Sequence, residues 1–397
     1  MDAAFLPDLN AGTDAGSVPS PESHDRLLYL SPVPWQSVAQ RPHELVQCFH
    51  RQTGGEVLWL DPYPTRLPRL DDLRHRPGGL SAQRQVPGWL RILAPPALPI
   101  EPLPLVSGIN RLLQRRTLEA AREFARHPTL LVVGKPSLLA LELLADPLLR
   151  DSRYDAMDDV AQFYEGLSRD AMASCERRAV QAAAQVWCSS RELQRRLLNM
   201  GTQPLLIPNA CAAERLPPPK QPRQSDGPLV LGYLGVIAKW FDWQWVIDLA
   251  SALPDAEVRL IGPQTGKPPT PLPSNIRLLP PLAHEAAMLA IGEFDIGLIP
   301  FRQSELTRSV DPVKYYEYRA MGLPVVSTVF GEMQHRGPSQ GVFLATPQAC
   351  LRSLVASALA CPETAREIPR FRAENSWNSR FPLALFRRDG TGEYSRR

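Results

Sequence analysis

Three patterns that each indicate a particular class of protein are missing from the sequence. No stretch reaches the roughly 18 uninterrupted apolar residues of a membrane-spanning helix, so no such helix is predicted. The six cysteines are scattered and form no C-x-x-C pair, which argues against a zinc site and a redox motif. The net charge is only +3, which does not favour nucleic acid as a partner.

Residues 1–25 also lack the basic start and the apolar core of a secretory signal peptide. They are polar, acidic and rich in Gly, Pro and Ser, a composition typical of disordered segments. We therefore expect a disordered lead-in there. Because no signal peptide is recognised, the cysteines are expected to be reduced thiols of a cytoplasmic protein.

Proline, by contrast, is abundant, with 42 in a chain of 397 residues, and it divides the chain. The segment 216–228, LPPPKQPRQSDGP, has no hydrophobic periodicity and is predicted to be an interdomain linker. On both sides of it, short apolar runs alternate with helical segments, which predicts mostly parallel α/β sheets. We therefore place one domain at 26–215, a second at 229–365 and a helical tail at 366–397.

The stretch VDPVKYYEYRAMGLPVVST predicts a short helix followed by a strand. Asp311 is a suitable N-cap and Gly322 a suitable stop, so the helix is expected over Pro312–Met321. Lys314 and Glu317 share one face of it. A lysine in the first turn is unfavourable for the helix alone, and an anionic partner would explain it. The spacing fits either contacts to a phosphate and a ribose or a surface ion pair.

This stretch belongs to a series of motifs that resembles the C-terminal half of GT-B glycosyltransferases of the glycosyltransferase-4-like type. The others are GYLGVIAKWFDW, EVRLIGP, NIRLLPPL and FDIGLIPF. In the first half, PWQSVAQRPHELVQCF, YDAMDDVAQF and VWCSSRELQRRL with LLIPNAC resemble the bacterial branch that acts in exopolysaccharide and teichuronic-acid-like synthesis. The resemblance runs from Arg26 to about Trp377, and its specificity lies in the order and spacing of the motifs.

The resemblance implies an α/β protein of the GT-B fold, with two Rossmann-like domains that face each other across a cleft. The first domain is then the acceptor domain and the second the nucleotide-sugar domain, with the tail packed back on the first. It also implies a retaining, metal-independent transfer of a sugar from a UDP- or GDP-linked donor to a glycan or a lipid-linked saccharide. No cofactor is expected beyond the donor itself, and the cleft is the default site.

For the donor, the resemblance implies that Glu317 binds the ribose. The family has another glutamate eight residues earlier, where this chain has Ser309. The usual contact to a sugar hydroxyl is therefore missing, and Glu305 is the nearest substitute. Arg308 and Lys314 are the expected partners of the diphosphate.

The loop after the strand in GYLG is expected to contribute two more donor contacts. Lys239 matches a region where the family places a basic residue near the phosphates. Gly235 allows the backbone to approach the donor closely. Asp242, in the same loop, is interpreted as the N-cap of the next helix.

On the acceptor side, Trp35, Arg41 and His43 lie between the first strand and the first helix. Arg41 is expected to contact a phosphate or an acceptor hydroxyl, whereas Trp35 and His43 have loop packing and a solvated position as alternatives. Asp158 and Asp159 follow a buried strand, where a carboxylate can orient the acceptor hydroxyl or accept its proton. One of the two is expected to be functional and the other to be a helix cap.

A basic face is predicted on the long helix that Ser107 opens. Arg111, Arg115, Arg122 and Arg126 recur there at helical spacing. Such a face is either simply solvated or in contact with anionic lipid at the inner face of the cell membrane. No large apolar stripe accompanies it, so membrane binding is expected to be electrostatic and salt-sensitive.

Two other functions fit the same sequence. An epimerase of the same architecture would convert a nucleotide-sugar without an acceptor. A catalytically degenerate member of the family would serve as a scaffold in a polysaccharide assembly complex, and the serine at Ser309 favours that alternative. Neither nucleic acid nor a resident metal ion is expected.

Overall fold

A parallel sheet organises the first half of the chain in the computed structural model. The structure describes residues 23–65, 85–99, 104–219, 227–361 and 367–388. The strands of this sheet are β1 (Arg26–Leu30), β2 (Glu56–Leu60), β3 (Leu90–Leu93), β4 (Thr129–Val133), β5 (Ser152–Ala156), β6 (Gln185–Cys188) and β7 (Leu205–Leu206). Their order is β3-β2-β1-β4-β5-β6-β7, and neighbouring strands are parallel.

A second parallel sheet organises the other half. Its strands are β8 (Val230–Leu234), β9 (Glu257–Ile261), β10 (Ile276–Leu279), β11 (Ile296–Ile299), β12 (Val325–Thr328) and β13 (Val342–Ala345). Their order is β10-β9-β8-β11-β12-β13, again with parallel neighbours. The alternation of apolar runs and helices in the sequence therefore predicted the class of both sheets correctly.

Helices connect the strands and cover the sheets, as parallel strands require. In the first half they are α1 (Arg41–Thr53), α2 (Pro104–Leu113), α3 (Arg115–Phe124), α4 (Leu138–Leu144), α5 (Leu167–Ala182) and α6 (Arg191–Leu198). In the second half they are α7 (Trp243–Ala252), α8 (His284–Gly292), α9 (Val313–Ala320) and α10 (Leu351–Leu359). Two further helices, α11 (Glu367–Glu374) and α12 (Trp377–Arg380), form the tail.

In both sheets the strand order reverses once, between β1 and β4 and between β8 and β11. Connections leave such a point in opposite directions, which opens a crevice beyond the carboxyl ends of the strands. Arg41 follows β1, Lys239 follows β8 and Arg308 follows β11. The topology therefore brings candidate residues from separate motifs to the crevices of the two sheets.

The first sheet is buried on both faces. Along β1, Leu28 and Leu30 belong to one apolar cluster, while Leu27 and Tyr29 belong to another. Successive side chains of a strand point to opposite faces, so the two clusters lie on the two sides of the sheet. This explains why β1 is a continuous apolar run rather than an alternating pattern.

The tail completes the core of the first half. Trp377, Phe381 and Phe386 are buried in the same cluster as Leu27, although about 350 residues separate the two segments. On its way there the tail passes α9, where the ring of Phe371 lies 5.9 Å from that of Tyr315. The chain therefore crosses between the two halves a second time after residue 361.

The long helix predicted to begin at Ser107 is wrong in two respects. The structure has α2, which begins at Pro104, and α3, which are separated by Gln114 with φ −83° and ψ −1°. The side chain of Asn110 bonds both the N–H and the C=O of Leu98, at 2.7 and 3.0 Å, and so fixes α2 against the preceding segment. Hydrophobic periodicity does not report such a tertiary anchor.

Two of the sequence predictions concern segments that lie mostly outside the described residues. The end of the expected disordered lead-in is described and is ordered, because Ser23 and His24 are 2% exposed and the N–H of His24 donates to the carbonyl oxygen of Phe386 at 3.2 Å. Residues 1–22 of the expected lead-in and residues 220–226 of the expected linker lie outside the described residues. Across the part of the chain that is described, no helix combines the length and the apolar character needed to cross a bilayer.

Removal of a tail side chain is expected to destabilise the first half. Phe381 is fully buried and stacks on Trp377 with ring centroids 5.9 Å apart. Phe381→Ala should lower the free energy of unfolding by about 3–5 kcal/mol, because the lost contacts leave a cavity. Denaturant titration followed by tryptophan fluorescence measures this. The control Phe163→Ala, at a 46% exposed residue, should change it by less than about 0.5 kcal/mol. Equal stability of the two variants would contradict the tail's role in the core.

Candidate functional site

Two opposite charges lie one turn apart on α9. The helix begins one residue later and ends one residue earlier than the predicted Pro312–Met321. Gly322, with φ +80°, stops it, as expected from its tolerance of the left-handed region. Lys314 is in the first turn and Glu317 in the second. The first turn lies beside Gly235, which follows β8, because Cε of Lys314 fills the space next to that glycine.

Asp311 does not cap α9, contrary to the sequence prediction. One of its oxygens, Oδ2, accepts from the N–H of Asn209 and from the hydroxyl of Tyr316, both at 2.8 Å. The other, Oδ1, accepts from Arg336 at 2.7 Å. The carboxylate is therefore used to join the start of α9 to the first half of the chain.

Lys314 occupies the space left free by a glycine. Its Nζ lies 5.6 Å from the ring centroid of Tyr233, and a Cβ on Gly235 would overlap Cε of the lysine. Gly235 also has φ +148°, which side chains rarely adopt. The glycine after β8 therefore allows a cation to sit at the carboxyl edge of the second sheet.

Apart from the ring of Tyr233 near Lys314, the charges of Lys314 and Glu317 have no close partner among the described residues. Neither forms a hydrogen bond or a close ion pair with any residue that the structure describes. Both are partly accessible, yet protein atoms crowd them: burial lowers the pKa of Lys314, and Glu317 partly offsets this. Burial likewise raises the pKa of Glu317, with Lys314 opposing the shift. Crowded charges with perturbed pKa values and no close ion pair are typical of functional sites.

The loop between β11 and α9 carries the other candidate donor residues. Ser309 is only 3% exposed, and its Oγ is buried without a hydrogen-bond partner among the described residues. Arg308 forms an ion pair with Glu305, and both are more than half exposed. Both side chains therefore keep surface that a ligand can reach, and each is engaged by the other.

The loop after β8 is partly explained by local structure. Lys239 is exposed there. Asp242 accepts a hydrogen bond from the N–H of Trp245 at 3.2 Å, which confirms its predicted role as the N-cap of α7. The contact of Lys239 with the donor phosphates stays a prediction.

Arg41 is placed differently from the expectation. It is 3% exposed and forms a bidentate ion pair with Asp155, with Nη2 2.8 Å and Nε 3.0 Å from the carboxylate. Its Nη1 donates to the carbonyl oxygen of Ile207 at 2.7 Å. The N–H groups of Arg41, which were expected to contact a phosphate or an acceptor hydroxyl, therefore bond residues inside the first half.

The structure distinguishes the two aspartates that follow β5. Asp159 lies 3.7 Å from Arg196 and accepts from Gln162 at 3.2 Å. Asp158 has no hydrogen bond to any described residue and is reached by solvent. Crowding by protein atoms raises the pKa of Asp158 to about 7, with Arg41 lowering it and Asp159 raising it further. Asp158 is thus the freer of the two carboxylates.

Trp35 and His43 are packing residues. Trp35 is 2% exposed and His43 is fully buried, and the imidazole Nε2 lies 3.1 Å from the carbonyl oxygen of Trp35. The rings of Trp35 and Trp59 meet edge to face at 5.2 Å. Trp35 therefore packs in its loop, as one of its two alternatives stated. His43 is buried, so it is neither a solvated residue nor a contact to a ligand in the cleft.

Contacts between the two halves use residues that the sequence analysis did not single out. Asn209, after β7, bonds Asp311 through its N–H at 2.8 Å and through its side chain at 2.7 Å. Glu332 accepts from the N–H and the guanidinium of Arg191 at 2.7 and 2.6 Å. Their position is the feature of the sequence that could have identified them, because Asn209 and Arg191 both follow the carboxyl ends of strands.

Sequence comparison finds a distant relative over part of the chain. No family model matches. A Bacillus subtilis (strain 168) protein, named as a candidate teichuronic acid biosynthesis glycosyltransferase, TuaH, is 26% identical over 174 residues. The match covers 40% of this chain and 44% of the relative, so the chain spans less than half of that protein's length.

Structural comparison extends over nearly the whole chain. Sucrose-phosphate synthase from Thermosynechococcus elongatus superposes with a TM-score of 0.65 at 14% identity, over 90% of this chain and 96% of that one. The lipopolysaccharide outer core galactosyltransferase WaaB gives 0.55 at 11%, over 90% and 97%. WaaG, a glycosyltransferase involved in lipopolysaccharide biosynthesis, gives 0.53 at 13%, over 91% and 97%. The two facing Rossmann-like sheets and these likenesses identify the chain as a protein with the GT-B glycosyltransferase fold.

Proposed function

We propose that this protein is a glycosyltransferase that moves a sugar from a UDP- or GDP-linked donor to a glycan or lipid-linked saccharide. The observation that carries the proposal is the pair Lys314 and Glu317 on α9, two opposite charges that no ion pair with a described residue neutralises, with Lys314 beside Gly235 at the carboxyl edge of the second sheet. One nucleotide diphosphate offers complementary groups to both, namely an anionic diphosphate and a ribose diol.

Stabilisation of the departing diphosphate is the main catalytic task assigned to this site. Lys314 supplies a positive charge in the first turn of α9, where the helix dipole also favours an anion. Arg308 and Lys239, on the loops after β11 and β8, add positive charge from two sides. Preorganised charge of this kind acts on the leaving group without reorganisation. The resemblance implies that no metal is needed and that anomeric configuration is retained.

Glu317 is assigned to the ribose. An ionised carboxylate accepts two hydrogen bonds and so matches a vicinal diol. Burial favours the protonated form by raising its pKa, and the charge of Lys314 opposes that effect. The lysine therefore serves both partners, because it attracts the diphosphate and helps to keep the glutamate ionised.

Asp158 is assigned to the acceptor. It follows β5 in the first half, is reached by solvent and has no competing hydrogen bond to a described residue. A carboxylate with a pKa of about 7 is matched to accepting a proton near neutral pH. Arg41, which was expected to contact a ligand directly, acts in this proposal through its charge on Asp158 and by fixing Asp155.

A membrane surface is the proposed location of the acceptor. The relative is named for teichuronic acid biosynthesis, and the family resemblance implies a glycan or a lipid-linked saccharide as acceptor. On α2, Ile109, Leu112 and Leu113 are 45%, 71% and 40% exposed, an apolar edge that the sequence analysis did not foresee. Each arginine of the predicted basic face has an acidic partner, for example Arg115 with Glu119 at 3.0 Å. Apolar contact is therefore assigned a larger share of membrane binding than charge.

Substitution of the two charges on α9 tests the donor site. Lys314→Ala should lower turnover by roughly 100-fold, while Glu317→Ala should weaken UDP or GDP binding by roughly ten-fold. Titration calorimetry and a sugar-transfer assay measure the two effects, with the exposed Glu285→Ala as control. Transfer at wild-type rates in both variants would contradict the assignment.

Conversion of the donor without an acceptor would indicate the epimerase, and no binding of any nucleotide would indicate the scaffold.

The raised pKa of Asp158 predicts how the rate of sugar transfer depends on pH. Transfer should increase as pH rises through about 7, because the base must be ionised, and Asp158→Asn should lose roughly 100-fold or more of the rate. A pH–rate profile of the two proteins measures this. Asp25→Asn, at an exposed aspartate outside the cleft, is the control and should keep the wild-type profile. An unchanged profile in Asp158→Asn would remove Asp158 from the mechanism.

The same titration has the opposite effect on stability. The folded protein holds the proton of Asp158 more tightly than the unfolded chain, whose carboxyl has a pKa near 3.8, so ionisation opposes folding between these values. Asp158→Asn should therefore melt at a higher temperature than the wild type above pH 7. The difference should shrink as pH falls towards 4. Thermal unfolding across this range measures it, and a destabilised variant above pH 7 would contradict the raised pKa.

Membrane contact is tested by cosedimentation with anionic vesicles. Leu112→Glu should reduce the bound fraction several-fold, because burial of an apolar side chain contributes about 1.5–3 kcal/mol. Leu289→Glu, at a similarly exposed leucine on α8 (65%, against 71% for Leu112), is the matched control. Equal binding of the two variants would remove α2 from the membrane interface.

A further inference from the structure

The hydroxyl group of Tyr233 fastens the loop after β8 from within the strand. Tyr233 is fully buried, and its Oη donates to the carbonyl oxygen of Val236 at 2.8 Å. The indole N–H of Trp240 donates to the same Oη. A hydroxyl group can donate one hydrogen bond and accept others, and here it does both. It therefore joins the two ends of the segment 236–240, in which Lys239 comes directly before the tryptophan.

The ring of Tyr233 lies beside the cation in the first turn of α9. Lys314 Nζ is 5.6 Å from the ring centroid, within the roughly 6 Å over which an ammonium group is attracted to an aromatic ring. The glycine after β8 makes room for this arrangement, because a Cβ on Gly235 would overlap Cε of the lysine and lie 3.2 Å from the tyrosine Oη. Since no described residue forms a hydrogen bond or a close ion pair with the ammonium group, the ring is left to orient it.

Trp240 extends the same connection to a neighbouring loop. Its carbonyl oxygen accepts from the N–H of Arg302 at 2.7 Å, and its ring lies 6.4 Å from that of Phe301. Both of these residues belong to the loop that follows β11 and carries Arg308. The loop with Arg308 is therefore connected to Tyr233 through the tryptophan.

We infer that Tyr233 is a positioning residue of the donor site: its ring orients Lys314, and its hydroxyl group holds the loop that carries Lys239. This inference deepens the proposed function and rests on it, because the two lysines matter for transfer only if they meet the diphosphate. Tyr233 is itself fully buried, so it acts on the donor through the lysines. Charge stabilises a leaving group most when it is already in place, which is how a buried aromatic side chain affects binding and turnover.

Two substitutions of Tyr233 separate the ring from the hydroxyl group. Tyr233→Phe removes the hydroxyl group alone, whereas Tyr233→Leu removes both. Titration calorimetry with UDP and GDP identifies the diphosphate that the wild type binds. Tyr233→Phe should bind it at least about three-fold more weakly, because the loop loses two hydrogen bonds. Tyr233→Leu should lose at least about another three-fold, because the ammonium group of Lys314 loses its ring.

The same substitutions in lysine variants show whether each effect passes through its lysine. In the Lys314→Ala background, Tyr233→Leu should bind the diphosphate as tightly as Tyr233→Phe does. In the Lys239→Ala background, Tyr233→Phe should have no effect on affinity. A general loss of packing would weaken binding by the same factor in every background, because independent effects add. This comparison therefore distinguishes positioning from a merely structural role, and the rate of sugar transfer should follow the same pattern.

Tyr154→Phe is the matched control. Tyr154 is 1% exposed, and its hydroxyl group donates to Glu176 at 3.0 Å within the first half. The control also loses a buried hydrogen bond, yet it should bind the diphosphate as the wild type does. A cooperative thermal transition shows that each variant is folded, and if Tyr233→Leu fails to fold, Tyr233→Phe with and without Lys239 decides the question.

Three results would overturn the inference and leave the proposed function in place. They are wild-type affinity in both Tyr233 variants, losses that persist unchanged in the lysine backgrounds, and an equal loss in Tyr154→Phe. Failure of the wild type to bind any nucleotide would instead overturn the proposed function itself.

Discussion

The buried carboxylate of Asp311 is the constraint on which the geometry of the site depends. It is fully used by Asn209, Tyr316 and Arg336, at 2.7–2.8 Å. Nη1 of Arg41 continues the network, 3.3 Å from the side-chain oxygen of Asn209. Because breaking a buried charged contact leaves an uncompensated charge, such a network is strongly held. The start of α9, and with it the two charges assigned to the nucleotide, is thereby fixed relative to the first half.

Local features of the fold were predictable from the sequence because neighbouring residues decide them. The apolar run of β1 and the bounds of α9, within one residue at each end, follow from periodicity, a stop at Gly322 and a proline before the first turn. Asp242 was assigned correctly for the same reason, since a cap bonds an N–H only three residues away. The crevices at the strand-order reversals then follow from the class of the sheets.

Features that depend on distant residues were not predictable. Arg41 finds Asp155 114 positions along the chain, and Asp311 finds Asn209 102 positions away. A lone sequence offers no pattern that links such pairs, so Arg41 was interpreted as a ligand contact and Asp311 as a cap. The sequence could not decide between Asp158 and Asp159 for the same reason. The partner that engages Asp159 is Arg196, which lies on α6.

The second crossing of the chain has a consequence for biosynthesis. Trp377, Phe381 and Phe386 emerge from the ribosome only after the whole second sheet has been made, yet they belong to the core beneath β1 and β2. Domains generally fold in the order of their synthesis. Here the second sheet is contiguous in sequence, so we expect it to be complete first, while one face of the first sheet is covered by α1 but not yet by the tail. The half that is translated first is therefore expected to be the half that is finished last.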